Sequence, residues 1–416
     1  MPQETHRPAF AGRDKPSVSY GLPFPLTLLH HAGSTFGATR LYVLCSASLA
    51  RNTPHLTSLK DTLNSKVAGV RVGLQPHTRW SEVLEVVREA RELDCDLLVT
   101  LGAGSLTDAA KIVSLALAND ASTPEGLESL LPDPSAGFRP DRTASKNTKP
   151  ARIPVVCIPT SLSGGEYSAF AGATKDADDR KYSFSGPAMS PPSLVILDPS
   201  LVMSTPARVW LSTGVKAVDH CVETLCSLKS DDSADADARH GLARLVPGLL
   251  RCALDKDGKD EDARLVCQLG AIDAMSAATR GVPLGASHGI GHQLGPAGVS
   301  HGETSCILLP AVCKFNYQRD ANRERQHAIQ KLLWDDKEAR AIFEKQGLTQ
   351  ENTDLGDLLD VFIRTLGMPR TLKEFGIGKD KLGGIAKHSL QDRWVKTNPA
   401  PLDEQGVMEI LKMVLG

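Results

Sequence analysis

The sequence predicts a chain of two domains, an α/β domain built on a parallel sheet and an all-helical domain after it. Two observations predict this. At 416 residues the chain exceeds what one hydrophobic core usually serves. Its apolar pattern also changes near residue 204, from short strand-like runs alternating with helical stretches to helical stretches alone.

In the first half, Leu41 to Cys45, Val70 to Leu74, Leu97 to Leu101, Ile153 to Ile158 and Leu194 to Leu197 read as buried strands. Between the second and third, Val83, Val86, Val87, Ala90 and Leu93 recur at helical spacing, with Ser81 as the expected cap and Glu82 and Glu85 near the positive end. Strand, helix, strand at this spacing implies a parallel sheet covered on both faces. Residues 1–18 are polar and Pro-containing and read as a flexible arm, so the α/β domain spans 19–204. Within it, 119–152 is rich in Pro, Ser, Asp and Lys and reads as a surface insertion, partly ordered by Leu127 to Leu131. Residues 205–416 form the helical domain.

Hydrophobic residues make up 41% and charged residues 23%, with a formal net charge of -2. That balance gives no electrostatic reason to expect nucleic acid or an anionic membrane as partner. No apolar run approaches the ~20 residues that span a bilayer. Nine cysteines are scattered without a CxxC pair, several inside apolar runs, as reduced buried thiols in a cytoplasmic protein would be.

The strand ending at Leu101 runs into Gly102-Ala103-Gly104-Ser105 and then a helical stretch carrying Asp108 and Lys111. A strand, a glycine turn and a helix N-terminus make an anion site, because amide N–H groups and the helix dipole face the incoming charge. A Gly-x-Gly turn alone serves equally as a plain tight turn. The longer string GAGSLTDAAK resembles the GGGSxxDxAK pyrophosphate motif of the iron-containing alcohol dehydrogenase superfamily, with Ala103 replacing the middle glycine. Pro159 to Glu166 is similar to that family's PTTxGTGSE and to the PTTYAGSE of maleylacetate reductases, and Thr397 to Leu402 resembles the NPRPL segment of the latter.

The resemblance implies a Rossmann-like dinucleotide-binding domain plus an all-α domain, the dehydroquinate synthase-like fold, and NAD(H) or NADP(H) as cofactor. It places the hydroxyls of Thr160 and Ser161 near nicotinamide and phosphates, and Lys181 near the cofactor, where a merely solvated lysine is the alternative. It also implies a homodimer.

The second half carries the histidines. In Gly285 to Gly295, His288 and His292 are spaced i, i+4 and share one helix face. His301 opens the next helix, and His220 lies within Lys216 to Glu223. In metal-dependent relatives the ligands are one Asp and three His, a set suited to divalent iron or zinc. His220, His288 and His301 match the histidines, but the aspartate position is Lys216, whose ammonium repels a dication. Asp219 does not restore the set, because neighbouring residues point in different directions around a helix.

The expectation is therefore a metal-free NAD(P)H-dependent reductase resembling maleylacetate reductase, which reduces the C=C of a small oxo-acid. Lys216, His220, His288 and His301 would stabilise the enolate. His292 would be the proton donor, because imidazole titrates near working pH. Arg280, with its planar fork, would meet a substrate carboxylate. The alternatives are a metal-dependent alcohol dehydrogenase and a non-redox enzyme on the same fold.

Overall fold

The computed structural model describes residues 3–75, 78–132 and 148–416. They form two compact units, Met1–Thr205 and Pro206–Gly416.

The first unit holds a seven-stranded sheet and a two-stranded hairpin. In chain order the strands are β1 (Thr5–Pro8), β2 (Ser17–Tyr20), β3 (Leu41–Cys45), β4 (Val67–Val72), β5 (Leu97–Gly102), β6 (Val155–Pro159), β7 (Ala171–Lys175), β8 (Arg180–Phe184) and β9 (Leu194–Leu197). The large sheet runs β1-β2-β9-β6-β5-β3-β4. All its pairings are parallel except β1 with β2. The side chains of β3, β5, β6 and β9 are all buried, as expected of strands covered on both faces. The chain leaves β3 for β4 on one side and returns through β5 on the other, so the order reverses between β3 and β5. In open α/β sheets ligands bind beyond the strand C-termini at such a reversal.

The flexible arm expected over residues 1–18 is not what the structure shows from residue 3 on; residues 1 and 2 lie outside the described residues. Glu4 binds Ser19 and His31, β1 pairs with β2, and β2 lies parallel to β9, with Val18 and Ser19 fully buried. The segment reads as polar because its polar groups are partnered by residues far along the chain. Two strands are also displaced from their expected ends, to Val67–Val72 and Val155–Pro159. The helix of the first βαβ unit starts at Trp80 with Arg79 at its N-cap. Ser81 lies inside the first turn, where its N–H and hydroxyl both donate to Asp176 rather than capping the helix. A turn at Asp178 and Asp179 is expected from the sequence, but the strands β7 and β8 that flank it are short and only partly apolar and are not. Asp179 makes that turn at φ 56. Of the insertion, the described part contains a short helix, Pro124–Glu128, with Leu127 and Leu130 buried; residues 133–147 lie outside the described residues.

The second unit contains no strand among the described residues. Its long helices Ala207–Cys226, Asp232–Leu254 and Glu261–Ala278 pack on one another. Helices Ala286–Leu294 and His301–Gln318 pack with the C-terminal segment around Ile290, Leu308, Phe315, Val395 and Ile410.

Candidate active site

In the first unit, β5 ends at Gly102, and the helix Gly104–Ala118 begins one residue later. Gly102 has φ +148, and a Cβ there would lie 2.7 Å from Leu106 Cδ1 and 3.0 Å from Ser46 Cβ. This position therefore requires glycine. Ala103 is the N-cap at φ -98, a conformation any L-residue adopts without strain, so its methyl group is accommodated. Ala103 and Ser105 are exposed and Gly104 half-exposed, leaving the first helical amides accessible to an anion.

The Thr160–Glu166 loop stands beside this turn. Thr160 N–H donates to the Gly102 carbonyl at 3.1 Å, Ser161 and Ser163 hydroxyls meet at 3.1 Å, and a Cβ on Gly104 would come within 3.2 Å of Ser163 Oγ. Thr160 and Ser161 are buried. Lys111 is buried too, and its ammonium donates to the carbonyls of Gly165, Ser168 and Phe170 and pairs with Asp108 at 3.2 Å. It ties the helix to the loop. Asp108 accepts from Gly172 N–H at 3.1 Å, and the stem of Lys181 crosses the space above Gly172. Lys181 is thus an exposed hairpin residue anchored next to the helix that carries Asp108.

In the second unit the helix Ala207–Cys226 presents Lys216, Asp219, His220 and Glu223, and the helix Ala286–Leu294 presents His288 and His292. Asp219 and His220 do diverge around their helix, but both reach His288. His220 stacks on its ring, centroids 4.7 Å apart and planes 20° from parallel, while Asp219 Oδ2 lies 3.5 Å from its Nδ1. Glu223 Oε2 is closer, at 2.8 Å from Nδ1, and its Oε1 accepts the Ser287 N–H at 2.8 Å. Ser287 Oγ donates to Asp219 at 2.9 Å. Motif reading missed Glu223 and set Asp219 aside; the 219/223 spacing of i, i+4 beside a histidine string was the available signal.

Burial dominates the electrostatics here. It pushes the carboxyls of Asp219 and Glu223 up to about 7 each. It pushes His288 down to about 4, opposed by Asp219 and reinforced by the Lys216 charge. His220 is held well below its ordinary value by burial, with His288 and Lys216 adding to the effect. Both imidazoles are therefore neutral near pH 7. With Nδ1 bonded to Glu223, His288 can hold that proton and leave Nε2 as an acceptor. His288 Nε2 and His220 Nδ1 are buried and have no hydrogen-bond partner.

His292 is exposed and bonds Asp392 through Nδ1 at 2.8 Å; its ring meets that of His301 edge-on at 6.3 Å. Asp392 comes close because Gly289 has no side chain. A Cβ there would lie 2.7 Å from Val395 N and 3.3 Å from Asp392 Oδ1. The Thr397–Leu402 segment has a structural part in this packing. Asn398 is buried, accepting from Ala286 N–H at 3.3 Å and donating to Asn316 at 2.7 Å. Arg280 is not brought to the histidines as a carboxylate clamp. Its Nε donates to Asp237 at 2.7 Å, in an ion pair that Ser276 shares, so its charge is already met by a carboxylate of the chain itself.

Comparison with known proteins decides the family. Residues 26–199 match the iron-containing alcohol dehydrogenase family and residues 210–415 match the Fe-containing alcohol dehydrogenase family, C-terminal. The chain belongs to the iron-containing alcohol dehydrogenase family. It is 38% identical to the dehydrogenase FUM7 of Gibberella moniliformis over 414 residues, 96% of each chain. It is 37% identical to the dehydrogenase ALT3 of Alternaria alternata, covering 91% of this chain and 99% of that one. The crystal structure of maleylacetate reductase from Rhizobium sp. strain MTP-10005 superposes with a TM-score of 0.73 at 21% identity, over 100% of this chain and 98% of that one. At that identity the likeness is one of fold, and it bears out the α/β plus all-α architecture. The chain is an oxidoreductase.

For this iron-containing alcohol dehydrogenase relative, the metal that gives the family its name must be tested against the residues present. Lys216 stands where the resemblance calls for an aspartate, and its charge acts on both His220 and His288. Among the described residues, Asp219, Glu223 and His288 form a group with metal-ligating spacing, their atoms within 4.8 Å of one another. The Nδ1 in that group is already hydrogen-bonded to Glu223. Lys216 in the aspartate position, and a His288 whose Nδ1 is bonded to Glu223 beside Asp219, differ from the one-Asp, three-His set that the resemblance implies.

Proposed function

We propose that this oxidoreductase reduces a C=C bond conjugated to a carbonyl in a small oxo-acid, using NADH or NADPH and no metal. The observation that carries the reading is Lys216 at the position of the aspartate ligand. The reduced nicotinamide supplies a hydride when bound. The glycine turn, through Gly102, Ala103, Gly104 and Ser105, binds its pyrophosphate at a helix N-terminus, with Asp108, Thr160, Ser161 and Lys181 around it. Addition of hydride to the far carbon of an enone leaves an enolate oxygen, and a fixed ammonium stabilises that charge without a Lewis acid. Lys216 has that role. His288, kept neutral with its Nδ1 proton on Glu223, accepts a hydrogen bond from the substrate. The His292–Asp392 pair delivers the proton that completes the reduction. His220 supports the ring of His288, and His301 borders His292.

Maleylacetate is the probe of this class, and the likeness to a maleylacetate reductase in fold supports trying it first. A homodimer belongs to the same proposal. A reducing, cytoplasmic setting accords with nine free, buried cysteines. A second reading, metal-dependent carbonyl reduction, is favoured by the unpartnered His288 Nε2 and His220 Nδ1.

The test is NADH and NADPH oxidation with maleylacetate and related unsaturated oxo-acids, before and after exhaustive chelation, with metal assayed in the same sample. Turnover by metal-free protein is expected. Turnover that disappears on chelation and returns with iron or zinc would overturn the metal-free mechanism in favour of the second reading.

A further inference from the structure

Away from the histidines, the helices Ala207–Cys226, Asp232–Leu254 and Glu261–Ala278 enclose a polar cluster that the proposed reaction does not use. Arg264 is 6% exposed and lies over the Trp210 ring at 4.9 Å, yet its Nε and Nη1 make no hydrogen bond. One turn on, Gln268 has both amide atoms unpaired. A guanidinium keeps its charge at every working pH, and a buried charge without a counter-ion is strongly destabilising. Among the described residues, no carboxylate lies within ion-pair distance of Arg264, although its charge reaches Asp255.

That charge also acts on two sulfurs. Cys252 Sγ and Cys267 Sγ are 4.0 Å apart, one on each of two packed helices. The close approach is made at Gly248, where a Cβ would lie 2.8 Å from Cys267 Sγ. The two thiols are not equivalent. The hydrogen bond from Cys267 lowers Cys252 against the effect of burial, and the Arg264 charge and the Trp210 N–H add to it. Burial and the neighbouring Cys252 raise Cys267 well above the ordinary thiol range. A low thiol beside a cation is the nucleophile, and its protonated neighbour is the resolving group.

We propose that Cys252 and Cys267, beside Arg264, are an oxidant-responsive thiol pair that closes to a disulfide when a hydroperoxide reaches it. The Cys252 thiolate attacks the distal peroxide oxygen, the O–O bond breaks, and the leaving alkoxide or hydroxide takes up a proton. The sulfenic acid at Cys252 is then attacked by Cys267 sulfur. The S–O bond breaks, and the departing oxygen leaves as water with the Cys267 proton. Two thiols lose two electrons in all, and the hydroperoxide is reduced to alcohol, or water, plus water. This inference is independent of the substrate assigned above.

The experiment uses the full chain. Folded protein is treated with limiting hydrogen peroxide, the remaining thiols are alkylated, and peptides are mapped without reduction. The expected result is one intramolecular Cys252–Cys267 disulfide, reversible by dithiothreitol, while circular dichroism stays native. Cys252 should also be alkylated at least about 10-fold faster at neutral pH than the other buried thiols, as expected for a cysteine beside a cation. Cys267→Ser should leave a trappable sulfenic acid on Cys252, and Arg264→Gln should slow Cys252 alkylation. Cys226 and Cys313, which also adjoin, with the Asp219 and Glu223 charges acting on Cys313, serve as the internal control. Oxidation spread evenly over the cysteines, a Cys226–Cys313 disulfide instead, or reaction only as the protein unfolds would overturn the proposal.

Discussion

The glycine turn after β5 and the face carrying Lys216 both depart from their family's motif by one residue, and the two departures have different consequences. At the turn, Ala103 adds a methyl group to a site made of backbone amides. The backbone at φ -98 accommodates it, because any L-residue adopts that conformation. On the histidine face, Lys216 replaces a carboxylate in a site made of side chains, where the ligand is the side chain itself. A site built from backbone tolerates substitution so long as the dihedral angles allow it. One built from side chains changes its chemistry with a single residue.

The sharpest way to break this comparison is Lys216→Ala. If the ammonium carries the developing charge, kcat should fall by about 10²–10³-fold, the usual scale for losing one oxyanion partner, with nucleotide affinity unchanged. A loss below about 3-fold in steady-state kinetics would remove Lys216 from the reaction. Moving one methyl group between neighbouring residues sharpens the other side. Gly102→Ala forces a side chain into φ +148 against Leu106 and Ser46. A strain of about 1–3 kcal/mol there should weaken NADH binding by about 10- to 100-fold in a fluorescence titration. Ala103→Gly, at a permitted dihedral, should change it by no more than about 3-fold. Equal effects of the two swaps would mean that the turn is not read through its backbone.

The smallest effect concerns stability. Glu223 is raised from 4.5 to about 7 by burial, so the folded chain keeps a proton that the unfolded chain releases. The stability this group contributes is fully present below pH 4.5 and is lost as pH rises towards 7, at roughly 1 kcal/mol per pH unit at the steepest. Glu223→Gln should flatten that decline in urea midpoints measured between pH 5 and pH 7. An unchanged slope would assign the titration elsewhere.

Much of the fold was legible in the sequence because buried parallel strands are continuous apolar runs, as in Leu97–Leu101 and Leu194–Leu197. The phosphate turn was legible because glycine spacing records backbone geometry directly. What escaped depends on partners distant in the chain. Ser17–Tyr20 is a strand only because residues 194–197 lie beside it. Ser81 reads as a cap until Asp176 engages it, and Arg280 reads as a clamp until Asp237 does. Asp392 enters the site from 100 residues beyond His292, through a contact that the bare Gly289 permits and that no local pattern announces.

The pairing of β2 with β9 also bears on how the protein is made. Ser17 and Leu194 are adjacent in the sheet, yet a ribosome adding about 5–20 residues each second needs roughly ten seconds or more to connect them. Throughout that interval the β2 segment lacks this neighbour, and near its end β6, once made, also waits for β9 along one edge. Pairings of such long range are slow to form and leave strand edges open to aggregation. The first twenty residues are therefore a place where chaperone dependence would be seen: a pulse of synthesis should leave them protease-sensitive until β9 has cleared the exit tunnel.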